Sequence, residues 1–66
     1  MNDEIKRLLQ HYVGDVVALT LRTGSEVTGK IVWLSPDRCM VELECSDREI
    51  KTFIHDDIKK ITCVLH

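Results

Sequence analysis

The 66-residue chain has little of what most functional classes require. Its sequence holds no apolar run approaching the roughly 20 residues that span a bilayer, so no helical membrane segment and no membrane partner are expected. The opening segment MNDEIKRLLQ is polar and amphipathic, unlike a secretory signal. Cysteine is scarce and odd in number, three in all, which argues against a disulfide framework. None of Cys39, Cys45 and Cys63 stands in paired C-x-x-C or C-x-x-x-H spacing with His11, His55 or His66, so no zinc site is expected. Positive charge is not in excess: nine Lys and Arg face eleven Asp and Glu, a formal net charge of −2. A duplex binder driven by phosphate attraction would need the opposite balance, whereas base stacking on single strands would not. Low-complexity segments, linkers and internal repeats are also missing, as befits one folded domain over residues 1–66.

Catalytic signatures are missing too. There is no H-E-x-x-H and no G-x-S-x-G, and the expectation is a protein that is not an enzyme and holds no cofactor or metal. Adjacent Asp56 and Asp57 would bind a divalent cation weakly without further ligands. The run from Gly24 to Lys30 fits G-x-x-x-x-G-K, but Ile31 follows where a phosphate-binding loop has Ser or Thr. A β-branched strand also replaces the helix whose amides would face the phosphates. It is read as a hairpin.

What remains is a size problem. A chain this short buries only about 60% of its unfolded surface. Small scaffolds usually need a staple, and association with copies of the same chain is left once disulfide and metal are set aside. Cys39 and Cys45 fall in phase with Val41 and Leu43, so they read as reduced core residues of a cytoplasmic protein.

The patterning that is present is clear. Ile5, Leu8, Leu9 and Tyr12 follow i, i+3, i+4, i+7, the stripe of an amphipathic helix over about residues 3–13. Asn2 or Asp3 can cap it, and Gly14 can end it. From there the period is two, giving five strands over about residues 15–65. Val17, Leu19 and Leu21 share one face; Val27, Ile31 and Trp33 share the next, interrupted by Gly29. A glycine inside a strand marks a sharp bend or a close backbone approach. Thr23-Gly24-Ser25, Ser35-Pro36-Asp37 and Ser46-Asp47 read as turns, and Ile58-x-x-Ile61 as a single helical turn before a last strand. Five short, bent strands after a helix suit a small closed barrel. The last strand, Thr62-Cys63-Val64-Leu65, carries no charge, and such an edge invites pairing with a neighbouring copy.

The segment from Val17 to Ile31 resembles the first motif of the Sm-like family, which includes Hfq and the LSm proteins: alternating apolar residues, a turn glycine, then x-V-x-G-x-I. The stretch Phe53-Ile54-His55-Asp56-Asp57-Ile58 is similar to the second motif, with Asp56 and Asp57 where Sm proteins place Arg-Gly. The resemblance covers nearly the whole chain. It implies a helix on a strongly bent five-stranded barrel, a homo-oligomeric ring built by pairing fourth and fifth strands, and single-stranded RNA bound around the pore. The site residues it implies are Arg38, Met40, Phe53 and His55.

Three of these residues also have a plainer reading. Arg38 is either a base contact or a solvated turn residue pairing with Asp37 or a neighbour's carboxylate. His55 either reaches a base or bonds nearby backbone at a strand end. Met40 either touches a base or packs between subunits. Trp33 is read as core or subunit interface, Tyr12 as packing, and Lys6, Arg7, Lys59 and Lys60 as solvated surface. The rival to RNA binding is a structural or interaction barrel that holds a protein partner.

Overall fold

The computed structural model describes residues 3–65, the last by its backbone alone. Asn2, one of the two expected caps, and His66 lie outside the described residues. In chain order the elements are α1 (Asp3–His11), β1 (Val16–Leu21), β2 (Glu26–Leu34), β3 (Met40–Glu44), β4 (Ile50–Ile54), a 3-10 turn (His55–Asp57) and β5 (Ile58–Leu65). The molecule is all-β with one N-terminal helix, as the periodicity indicates.

One sheet contains all five strands, in the order β4-β3-β2-β1-β5. Every paired neighbour is antiparallel. β2 is the pivot. Its residues Glu26 to Lys30 pair with β1, and Lys30 to Leu34 pair with β3, so the strand changes partners at Lys30. Gly29 sits beside that point, and a Cβ built on it would lie 2.9 Å from the Glu44 carbonyl oxygen and 3.2 Å from Leu43 Cβ. The backbone of β3 crosses where a side chain would otherwise stand.

The sheet is open, not the closed barrel expected: among the described residues β4 pairs only with β3, and β5 only with β1. The 3-10 turn joins the two edge strands, β4 and β5, directly. It is fixed at both sides. The His55 amide donates to the Cys39 carbonyl at 2.8 Å, and the Arg22 amide donates to the Asp57 carbonyl at 2.9 Å. The Arg22 guanidinium Nε also donates to the Asp56 carbonyl.

Two further expectations need correction, each for a bulge. The helical turn expected at Ile58–Ile61 is strand. Leu19 pairs with Ile61 but Leu21 with Ile58, so a register slip sets two residues three apart on the same buried face. Trp33 is 43% exposed, which excludes the core reading and leaves the subunit-interface one. The β2–β3 ladder slips between Ile31 and Trp33, leaving Val32 without a partner, after which Leu34 instead pairs with buried Val41. The helix, too, ends earlier than expected, at His11, with Gly14 at φ 92° and the Asp15 amide bonded to the Tyr12 carbonyl.

The core is Ile5 and Leu9 from α1, Val17 and Leu19 from β1, Ile31 from β2, Val41 and Leu43 from β3, and Ile58 and Ile61 from β5. β4 supplies none of it. Cys39 and Cys45 are free thiols, half-buried rather than core. None of the helices among the described residues is long and apolar enough to cross a membrane.

Candidate functional site

The residues singled out by the resemblance do converge on one end of the sheet. Arg38 and Met40 flank the start of β3, while Phe53 and His55 flank the end of β4, across the ladder that pairs Met40 with Ile54 and Val41 with Phe53. The bond from the His55 amide to Cys39 draws the two segments together.

Their surroundings differ. Met40 is 42% exposed and Ile54 48%, and the two make an apolar pair on the outer face. Phe53 is half-buried and packs on the core. The His55 side chain is only 13% exposed, with Nε2 3.3 Å from an Asp56 carboxylate oxygen. Its Nδ1 lies 3.3 Å from the Cys39 carbonyl oxygen, so the strand-end backbone contact is present. Arg38 is exposed but does not pair with Asp37. Its guanidinium donates to the Gln10 side-chain oxygen at 2.9 Å, bridging the β2–β3 loop to the helix.

Asp37 has another task. Its Oδ1 accepts from the Ser35 hydroxyl at 2.6 Å and from the Cys39 amide at 3.0 Å. Ser35 Oγ in turn accepts from the amides of Cys39 and Met40 at 3.1 and 3.0 Å. These bonds hold the loop while Arg38 takes φ 62°, a left-handed conformation that side chains disfavour. Ser35→Ala removes the acceptor of two amides at an 8% exposed site. The expected cost is about 1–3 kcal/mol, read by urea denaturation.

Hydrogen bonds from Ser35 and then from Cys39 hold the Asp37 carboxyl below its ordinary value. A carboxyl depressed in the folded state adds stability that is complete above its unfolded value and fades as pH falls through the folded one. The Cys39 amide resonance is therefore expected to titrate below the usual carboxylate range, and in Asp37→Asn to lose that titration.

Sequence reasoning missed two features. The first is the apolar character of the β4 edge, the uncharged β5 edge having been expected. β4 presents Ile50, 49% exposed, together with Ile54, and β5 presents Val64, 55% exposed. Lys51, beside Glu49 at 3.8 Å, is the charge on the β4 edge. The second is a cavity of about 780 Å³ between the end of α1 and the end of β2, open to solvent. Its signal lies in the bulge at Val32, which periodicity alone does not show. Among the described residues no cluster of His, Cys, Asp or Glu could hold a metal ion.

No family model matches the chain, and no curated protein does. Among solved structures it is similar to a chain in an assembly described as "Structural basis of the Dcp1:Dcp2 mRNA decapping complex activation by Edc3 and Scd6", with a TM-score of 0.76 and 19% identity. The match covers 88% of this chain and 60% of that one. At that identity the likeness speaks for the fold alone.

Proposed function

We propose that the chain is a non-catalytic, Sm-like protein-interaction module, cytoplasmic, whose open sheet edges pair with strands of other protein chains, in the first place copies of itself. The observation that carries this reading is the absence of β4–β5 pairing among the described residues, with Ile50, Ile54 and Val64 exposed beside those edges. An unpaired edge exposes a row of amides and carbonyls that a second strand satisfies. If β4 of one copy takes β5 of the next, the contact is head to tail and closes into a ring when the rotation permits. The motif resemblance from Val17 to Ile31 supports the family reading, and the structural neighbour, described within a protein complex, supports interaction.

A charge on either edge tests it. Ile50→Lys and Val64→Lys are each expected to lower self-association at micromolar concentration, seen as smaller species in sedimentation velocity. Wild-type protein sedimenting as a 7.6 kDa monomer sinks the self-pairing.

A second reading, single-stranded RNA at Arg38, Met40, Phe53 and His55, has in its favour that Arg38 and Met40 are exposed at one end of the sheet. Half-burial of Phe53 and His55 leaves it less support. Anisotropy of labelled oligo-U with Arg38→Ala and His55→Ala decides it; binding would show a shallow salt dependence, because few phosphates could be neutralised.

A further inference from the structure

Of the seven large apolar side chains exposed among the described residues, three, Val13, Val32 and Trp33, gather at the cavity between α1 and β2. Leu34, Pro36 and Arg38 complete its wall. The bulge that leaves Val32 unpaired sets Val32 and Trp33, adjacent in sequence, on the same cavity instead of opposite faces. Solvated surfaces scatter such residues singly; a cluster in a concavity of this size marks a binding site.

The charge at the cavity is of one sign. Arg38 is its one charged lining residue, and no carboxylate lines it. Asp37, next in sequence, spends its carboxylate on Ser35 and Cys39, and Arg38 makes its side-chain bond to neutral Gln10. The guanidinium is thus fixed at the rim by a neutral partner, with a positive charge unmatched among the described residues. In a chain of net charge −2, such a cation beside an aliphatic floor is complementary to an apolar ligand that brings its own carboxylate.

We propose that this groove is a docking site for a short protein segment whose apolar side chains fill the Val13–Val32–Trp33 floor while an adjacent Asp or Glu pairs with Arg38. A peptide is favoured over a nucleic acid because the floor is aliphatic apart from one indole, and a single cation gives little purchase on a phosphate chain. The site is separate from the strand edges: Ile50→Lys alters the β4 edge and leaves the groove intact, so the two proposals fail independently.

Trp33 is the sole tryptophan, so its fluorescence reports the groove directly. The experiment selects binders to the full chain from a displayed library of short random peptides and titrates the enriched ones against wild type, Arg38→Glu, Arg38→Gly and Val32→Lys. Arg38→Gly removes the charge while suiting the left-handed backbone, so loss of binding there is not a folding artefact. The expected result is enrichment of peptides with an acidic residue next to apolar ones. They shift Trp33 emission, bind Arg38→Gly and Arg38→Glu at least about tenfold more weakly, and recover affinity for Arg38→Glu when their acidic residue is replaced by Lys. Failure to enrich any peptide, or enriched peptides indifferent to Arg38, overturns the proposal. So does oligo-U shifting Trp33 where peptides do not, or Trp33 emission that changes with protein concentration alone, which would show a second copy covering the groove.

Discussion

Gly29→Ala is expected to destabilise the protein by about 1–3 kcal/mol, although alanine is the better strand residue by roughly 0.5–1 kcal/mol where space is free. The two effects have opposite signs, so the measured sign identifies the winner. The added Cβ would stand 2.9 Å from the Glu44 carbonyl oxygen and 3.2 Å from Leu43 Cβ. Neither can move cheaply, because Leu43 is fully buried and Glu44 pairs with both Lys30 and Ile50. A domain of this length has roughly 3–10 kcal/mol of stability, and in small domains each kcal/mol lowers the melting temperature by about 4–8 °C. Thermal denaturation followed by circular dichroism therefore reads the effect easily. A neutral or stabilising alanine would mean that β3 does not cross at Gly29.

Leu9→Ala is expected to cost more, about 2–5 kcal/mol. Leu9 is fully buried, and with Ile5 it anchors α1 on the sheet, packed against β5 and β2. A nine-residue helix is too short to persist in water without such packing. Its polar face has one ion pair, Arg7 to Glu4 at 2.9 Å, between side chains 69% and 68% exposed, which adds a few tenths of a kcal/mol at most. The loss should also reach the groove, since Gln10 and Val13 form its helical wall. Denaturation with urea measures the first effect. The second appears as a red shift of Trp33 emission under folding conditions, absent in the conservative Leu9→Met.

Much of this architecture is legible in the sequence because its patterning is local. The stripe from Ile5 to Tyr12 gives the helix, and Val17, Leu19, Val41 and Leu43 occupy the core positions that alternation assigns them. Gly24 turns with φ 96°, as its place between two strands suggests. The failures share a cause. At Trp33 and at Ile58–Ile61 a bulge breaks the period of two, and a bulge is set by the partner strand, which the residues themselves do not announce. Barrel closure likewise depends on whether the two sheet ends meet, a property of accumulated bend and twist. For the candidate site, sequence reasoning named Arg38, Met40, Phe53 and His55 from the family resemblance, and they lie at one end of the sheet. It did not foresee that Arg38 would turn toward Gln10, because the left-handed conformation of Arg38 follows from the Ser35–Asp37 bonds.

Edge pairing is tested most directly by amide hydrogen exchange, resolved by residue, from sub-micromolar to about 100 μM protein. Pairing between copies predicts that protection of the outward amides of β4 (Ile50–Ile54) and β5 (Ile58–Leu65) rises with concentration, while β1 and β3 amides, flanked by partner strands on both sides, stay unchanged. Val64→Lys should abolish the rise on both edges together, because each edge is the other's partner. Edge amides that exchange freely at every concentration, in a protein that remains a 7.6 kDa monomer, would contradict it.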